Sequence, residues 1–285
     1  MVTIKDLGTP VANTWCPGCG NFGILTALKQ AIVQLGLNTE EVVAVSGIGC
    51  HGKITEYVKV NALHVIHGRV LPAATAVKLA NNDLTVLGFA GDGDAYNIGI
   101  GHLPHAARRN VDLTYIVHDN LVYGLTTGQT SPTSRKGYRS KTTPRGSFEP
   151  GVNPLTQALA GDASFVARGY AGDWRHLVEI LKRAVGHRGF ALVDVLQPCV
   201  TWNRVNTYDF YKERVYKLEE AGHDEEDLQE AYAKAQEWGE RIPIGVFYRA
   251  LRPAYDECFP VLSKGSLVRQ KPLEADLASL MKEFE

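Results

Sequence analysis

Leu84-Thr85-Val86-Leu87-Gly88-Phe89-Ala90-Gly91-Asp92-Gly93-Asp94 is the stretch on which the fold turns. An almost wholly apolar run enters a Gly-Asp-Gly-Asp turn, which reads as a buried strand handing over to a helix. A helix to about Arg108 and a strand from Leu113 to His118 follow, which makes a βαβ unit of the usual length. Working toward the N-terminus, the spacing predicts a helix over Pro72 to Ala80, a short strand over Leu63 to His67 and a glycine-rich turn over Gly47 to Gly52. A buried strand over Glu41 to Ser46 precedes that turn, and a helix over Ile24 to Leu35 stops near Gly36, where glycine suits a C-terminal cap. Toward the C-terminus, Leu121 to Phe148 contains no acidic residue but carries Arg135, Lys136, Arg139, Lys141 and Arg145, a long basic loop. An amphipathic helix over Asp173 to Gly186 and a strand over Ala191 to Leu196 come next. Lys217 to Glu240 is acidic and helical, and Ile242 to Glu285 reads as an extended tail with a terminal helix. The fold class is α/β: a mostly parallel sheet flanked by helices over residues 1–215, with a C-terminal helical and extended appendage over 216–285.

Composition narrows the function classes. The 285 residues carry 30 Lys plus Arg against 31 Asp plus Glu, a net charge of -1, so no polyanionic partner such as nucleic acid is indicated. Hydrophobic residues make up 45% and charged residues 21%, values that exclude a disordered chain. The longest uncharged run, Leu7 to Leu28, is broken by Pro10, Asn13, Pro17, Gly18 and Asn21, so no membrane helix is expected. The first residues have no basic region leading into an apolar stretch, so no secretory signal is expected and a cytoplasmic location is. Five cysteines, an odd number, argue against a disulfide framework and for metal or redox chemistry.

Three constellations bear on chemistry. Gly47-Ile48-Gly49-Cys50-His51-Gly52 fits the dinucleotide fingerprint, but no acid stands about 20 positions on to hold a ribose, so a nicotinamide site is rejected. Cys16-Pro17-Gly18-Cys19 has the form of a thioredoxin-type pair. That reading leaves Cys50 and Cys199 without a role, whereas the four together suit a four-thiolate site holding zinc or iron and sulfur. The bland alternative for Cys50 and Cys199 is a buried inert thiol, and for Cys258, which has no neighbour in sequence, it is preferred. Asp92 and Asn120 end two successive strands of the unit, with 27 residues between them. A carboxylate, an amide oxygen and a backbone carbonyl are the hard ligands that Mg²⁺ prefers, with places left for phosphate oxygens. A helix starting after Asp94 would direct backbone N–H groups at the same diphosphate.

Gly91-Asp92-Gly93-Asp94 through Asp119-Asn120-Leu121-Val122-Tyr123-Gly124 resembles the thiamine diphosphate motif of 2-oxoacid:ferredoxin oxidoreductase β subunits. Trp15-Cys16-Pro17-Gly18-Cys19-Gly20, Gly47 to Cys50, His67-Gly68-Arg69, Arg108-Arg109-Asn110, Gly128 to Thr133 and Gln197-Pro198-Cys199 are similar to that family as well, over residues 10 to about 215. The pattern departs at Asp119, where the family usually has asparagine. The resemblance implies that Cys16, Cys19, Cys50 and Cys199 ligate a 4Fe-4S cluster, and that Asp92, Asn120 and the carbonyl of Val122 hold Mg²⁺. It implies that Ile48, Gly49, Cys50, His51, His67, Gly93, Asp94, Gly124 and Leu125 contact thiamine diphosphate.

The implied activity is oxidative decarboxylation of a 2-oxoacid with coenzyme A. The thiazolium serves as electron sink, and two electrons leave singly through the cluster to ferredoxin. The glutamate that the family sets against the aminopyrimidine lies on another polypeptide, so an α subunit is expected, in an αβ or α2β2 assembly. Tyr123-Gly124-Leu125-Thr126 is similar to members acting on 2-oxoglutarate or on several 2-oxoacids. Lys53 and Leu125 are therefore expected to govern substrate selectivity, Lys53 by pairing with a distal carboxylate. The alternatives are a broad-specificity or pyruvate-type β subunit and, from another class, a non-catalytic zinc-stabilised α/β binding subunit.

Overall fold

The computed structural model describes residues 2–270 and 281–284. In chain order, α1 (Asn21–Gln34) leads into β1 (Val42–Ser46), the short α2 (Ile54–Tyr57), β2 (Asn61–His64), α3 (Val70–Ala80), β3 (Thr85–Gly91), α4 (Leu103–Arg109) and β4 (Leu113–Asp119). A small hairpin of β5 (Val122–Tyr123) and β6 (Gln129–Thr130) follows, then α5 (Pro154–Ala160), β7 (Phe165–Tyr170), α6 (Trp174–Val185) and β8 (Phe190–Leu196). The C-terminal part adds α7 (Tyr208–Lys212), β9 (Val215–Lys217), α8 (Leu228–Gln236) and β10 (Ile242–Arg249).

Eight strands form one sheet in the order β2-β1-β3-β4-β8-β7-β10-β9. Every neighbouring pair is parallel except β10 against β7. All seven residues of β4 and all seven of β8 are buried, as parallel strands covered by helices on both faces require. Ile24 and Leu28 of α1 pack with Leu177 and Leu181 of α6 on one face. Leu71 of α3, Leu103 of α4, Leu155 of α5 and Ala231 of α8 fill the other. Each fully buried leucine of this kind contributes about 1.5 to 3 kcal/mol of transfer free energy.

Helix ends follow local chemistry. Asp173 accepts from the His176 N–H at the start of α6, and Asn153 accepts from the Thr156 N–H at the start of α5, where Pro154 gives up no donor that the helix needs. Asn110 ends α4 in the left-handed region at φ 54. Its side chain donates to the carbonyls of Arg252 and Pro253 and accepts from the Phe190 N–H, which ties the C-terminal segment to the sheet.

The topology positions a crevice. From β1 the chain passes to β2 on one side and returns to β3 on the other, so the carboxyl ends of β1 and β3 flank a switch point of the kind where ligands bind in open α/β sheets.

Several elements differ from the sequence reading. The helix expected from Asp94 begins as a π-helical turn over Asp94–Ile98 and a 3-10 turn over Ile100–His102 before α4 begins, with Pro104 in its first turn. Residues 242–249 form a strand in the main sheet and not a tail, although Pro243 removes one donor; their neighbour β9 has only three residues and lies at the sheet edge. Strand β7 has no counterpart in the sequence reading, because Arg168 and Gly169 interrupt its apolar pattern. Most of the expected terminal helix falls on residues 271–280, outside the described residues.

Candidate functional site

A cavity of about 200 Å³ opens at the carboxyl ends of β1, β3 and β4. Its walls include Ile48, Gly49, Cys50, His51, His67, Gly93, Asp94, Gly124 and Leu125, together with Asp92, Asn120 and Val122. All the residues expected at the cofactor and at Mg²⁺ thus meet in one place.

Asp94, 2% exposed, is the knot of the upper wall. It accepts from the Gly68 N–H, stands 2.8 Å from Nδ1 of His67, and lies 3.2 Å from Nε2 of His51. Three loops, one after each of β1, β2 and β3, therefore meet at one carboxylate, of which the Gly68 N–H makes the hydrogen bond. Glycine is required at Gly93, where a Cβ would stand 2.1 Å from the Tyr123 ring. Tyr123 in turn accepts from Asn97 Nδ2 at 2.8 Å.

The floor is a strained turn. Leu121 adopts φ 59, a conformation that a bulky residue keeps only where its surroundings over-determine it. Here the Leu121 N–H donates to Asp119 Oδ1, its carbonyl accepts from the Ser134 hydroxyl, and the Val122 N–H donates to Asn120 Oδ1. This reversal brings Asn120 and Val122 to the same wall. Asp92 and Asp119 are both buried, and Thr133 Oγ1 stands between them at 2.9 Å and 2.7 Å. Burial pushes both carboxyls above the usual carboxylate range, and for Asp92 the Asp119 charge adds to it. Among the described residues no basic side chain lies within ion-pair distance of Asp92, so a divalent cation would supply the missing counter-charge. Asp119 itself does not line this cavity.

A second cavity, of about 210 Å³, is lined by Cys16, Cys19, Cys50 and Cys199. Cys50, Asn120, Gly124, Leu125 and Gln197 line both cavities, so the two share a wall. The thiol loops are joined by the Gly20 N–H donating to the Pro198 carbonyl, and a Cβ at Gly20 would meet Gln197 and Pro198 at 2.9 and 3.0 Å. Trp15 Nε1 donates to the Cys50 carbonyl at 2.7 Å. All four thiols are free, so the thioredoxin-type pairing of Cys16 with Cys19 is not formed. Burial pushes the Cys19 thiol up to about 12 and raises Cys50 too, with the neighbouring sulfurs adding to both. Cys19 and Cys50 would ionise more readily against a positive partner such as a metal. A Cβ at Gly124 would lie 3.7 Å from Cys50 Sγ and 3.8 Å from Cys199 Sγ, which places this turn in contact distance of both thiols. Among the described residues no three His, Cys, Asp or Glu side chains converge tightly enough to bind one metal ion.

Lys53 lines the thiol cavity and not the cofactor cavity, and its ammonium donates to Thr14 Oγ1 at 2.6 Å. Leu125 is half exposed at the shared wall. Cys258 is exposed and apart from the other thiols. Sequence reasoning missed the roles of Thr133 and Ser134. Thr133 and Ser134 sit in a loop with no periodic signal, and only the reversal of the chain brings them under Asp92.

Comparisons with known proteins agree with this fold. A family model described as the thiamine pyrophosphate enzyme C-terminal TPP-binding domain matches residues 28–195, and one described as the C-terminal part of the pyruvate ferredoxin oxidoreductase β subunit matches 199–264. The chain is 50% identical over 262 residues to the 2-oxoacid:ferredoxin oxidoreductase β subunit of a Sulfolobus species, covering 87% of this chain and 86% of that one. It is 43% identical over 198 residues to a 2-oxoglutarate synthase subunit, KorB, of Archaeoglobus fulgidus, covering 70% and 74%. A solved structure, the 2-oxoglutarate:ferredoxin oxidoreductase of Magnetococcus marinus with 2-oxoglutarate, coenzyme A and succinyl-CoA bound, superposes with a TM-score of 0.90 at 38% identity. The match covers all of this chain and 96% of that one.

Proposed function

The chain belongs to the 2-oxoacid:ferredoxin oxidoreductase β subunits, and from that premise we propose that it catalyses, with an α subunit, the coenzyme A-dependent oxidative decarboxylation of 2-oxoglutarate to succinyl-CoA and CO₂, with electrons leaving through a 4Fe-4S cluster to ferredoxin. The observation that carries this reading is the shared wall between the cofactor cavity and the four-thiol cavity. Electrons released at the first would reach the second without crossing the core.

When bound, thiamine diphosphate supplies the electron sink that decarboxylation needs. The chain's own residues hold and shape the site. Asp92, Asn120 and the Val122 carbonyl hold Mg²⁺, which neutralises the diphosphate, and Asp94 stands beside His51 and His67 at the same cavity. Gly93 keeps space that a side chain would fill. Cys16, Cys19, Cys50 and Cys199 ligate the cluster, a reading supported by the four thiols lining one cavity and by the affinity of thiolates for iron-sulfur centres. Lys53 and Leu125 tune the choice of 2-oxoacid.

The preference for 2-oxoglutarate is supported by the names of the KorB relatives and by the 2-oxoglutarate and succinyl-CoA bound in the Magnetococcus enzyme. The Sulfolobus relative, named for 2-oxoacids in general, favours a broader substrate range as the second reading.

Anaerobic purification with the α subunit, followed by iron, sulfide, magnesium and thiamine analysis, tests the cofactor set. Reduction of ferredoxin with 2-oxoglutarate or pyruvate tests the substrate. One zinc without sulfide, or no thiamine diphosphate, would overturn the proposal. Equal use of the two acids would establish the second reading.

A further inference from the structure

Behind the carboxylate pair lies a larger cavity, of about 430 Å³. Asp119 and Thr133 form part of its wall, and neither lines the cofactor cavity. The rest includes Arg135 and Lys136 of the basic loop, Arg168 of β7, Asp194 of β8 and Trp238.

The polar groups here are unspent. Arg168 is 2% exposed, yet among the described residues its Nε and Nη1 have no hydrogen-bond partner, and Asp194 Oδ2 lies 3.9 Å from Nε. Nε and Nη2 of Arg135 and Nε1 of Trp238 are likewise buried without partners among the described residues. The two guanidiniums stand 5.0 and 5.4 Å from the Trp238 ring, so aromatic stacking fixes where they sit. Asp194 is already engaged by the Tyr96 hydroxyl at 2.8 Å, and burial pushes it up to about 8, which leaves its negative charge incomplete at neutral pH. A buried guanidinium without hydrogen bonds is among the costlier arrangements in a protein. Buried Arg168 and half-buried Arg135, beside one indole N–H around a cavity, form a set of donors awaiting acceptors.

We propose that this cavity binds a small oxyanion, of the phosphate or carboxylate class, through Arg168, Arg135 and the Trp238 indole, with Lys136 at the rim. Guanidinium groups match both chemistries through paired N–H donors. The site is separate from the cofactor cavity and stands independently of the activity proposed above.

The test is equilibrium dialysis of the cofactor-loaded αβ complex against radiolabelled inorganic phosphate at fixed ionic strength. Wild type is compared with Arg135→Gln and Trp238→Phe, with malonate as competitor. Wild type is expected to show one more saturable site per β chain than Arg135→Gln. Loss of one charged hydrogen-bonding group should weaken that site by about tenfold or more, and Trp238→Phe, which keeps an aromatic ring and removes the N–H, by less. Displacement by malonate at concentrations below that of phosphate assigns the carboxylate class, and failure to displace assigns phosphate. Equal site numbers and affinities in wild type and both variants would overturn the proposal, leaving a water-filled cavity. Binding to the isolated β chain but not to the complex would also overturn it, because the α subunit would then fill the space.

Discussion

Replacing Thr133 by valine removes one hydroxyl and keeps the shape of the side chain, and the structure sets the size of the effect. Thr133 Oγ1 is 2.9 Å from Asp92 Oδ2 and 2.7 Å from Asp119 Oδ1. A hydroxyl carries one proton and can donate to only one of them, so the second contact needs a proton on a carboxyl. Both carboxyls lie above their usual range, which is consistent with a proton held at the pair when no cation is present. A cation that binds Asp92 must displace that proton. Below the raised value, each unit of pH should therefore change Mg²⁺ affinity by up to about tenfold, or about 1.4 kcal/mol, with tighter binding at higher pH. The sign for stability is the reverse: the folded cation-free chain holds more protons than the unfolded one, so its stability falls as pH rises above about 3.8, and Mg²⁺ with thiamine diphosphate restores it. Loss of a hydrogen bond to a charged group costs about 1.5 to 3 kcal/mol, so Thr133→Val should weaken Mg²⁺-dependent cofactor binding by roughly 10- to 150-fold. The assay is calorimetric titration of the αβ complex with Mg²⁺ and thiamine diphosphate across the pH range in which circular dichroism shows the fold intact. Thr133→Ser should recover most of the affinity. If Thr133→Val binds as wild type does, or if Thr133→Ser is as weak as Thr133→Val, the hydroxyl is not what holds Asp92.

Four further outcomes are expected. Gly93→Ala should displace the Tyr123 ring, destabilise the chain by about 1 to 3 kcal/mol and abolish cofactor binding; an unshifted melting temperature would show that the ring yields freely. Iodoacetamide should modify exposed Cys16 well before Cys19 in cluster-free protein, because burial pushes the Cys19 thiol up to about 12; mass spectrometry of timed digests reports the order. If the Lys53 ammonium leaves Thr14 for the distal carboxylate of bound substrate, Lys53→Ala should lower kcat/KM for 2-oxoglutarate by roughly tenfold to a hundredfold with little effect on pyruvate, and equal losses would assign Lys53 to the shared chemistry or the fold. His187, which burial lowers to about 4, contributes stability that is complete above pH 6.5 and is lost as pH falls toward 4; melting curves of wild type should drop more steeply across that window than those of His187→Gln.

Much of the first two hundred residues was legible because apolar runs and their breakers carry the information locally. β3, β4 and β8 are buried on both faces, so their sequences are mostly apolar and their ends are marked by Gly91, Asp119 and Gln197. β7 and β10 were not legible. Arg168 within β7 is buried against Trp238 and Phe247, and a charged residue in a strand gives no sign that aromatic rings will cover it. Pro243 in β10 reads as a breaker until β9 shows that the sheet nearly ends there.

The residues of the site could be named from the sequence, since glycine turns at strand ends, a carboxylate and amide pair and four cysteines are chemical identities that folding does not alter. Their proximity could not. Cys16 and Cys199 stand at opposite ends of the α/β region, and Thr133 lies in a loop with no regular pattern. Only the parallel sheet, which gathers the carboxyl ends of β1, β3, β4 and β8 along one edge, brings the thiols to a wall shared with Asn120 and Gly124. The cavity behind Asp119 has no local signature at all: Arg135, Arg168 and Trp238 come from three distant segments, and that their donors lack partners among the described residues is a property of three-dimensional packing alone.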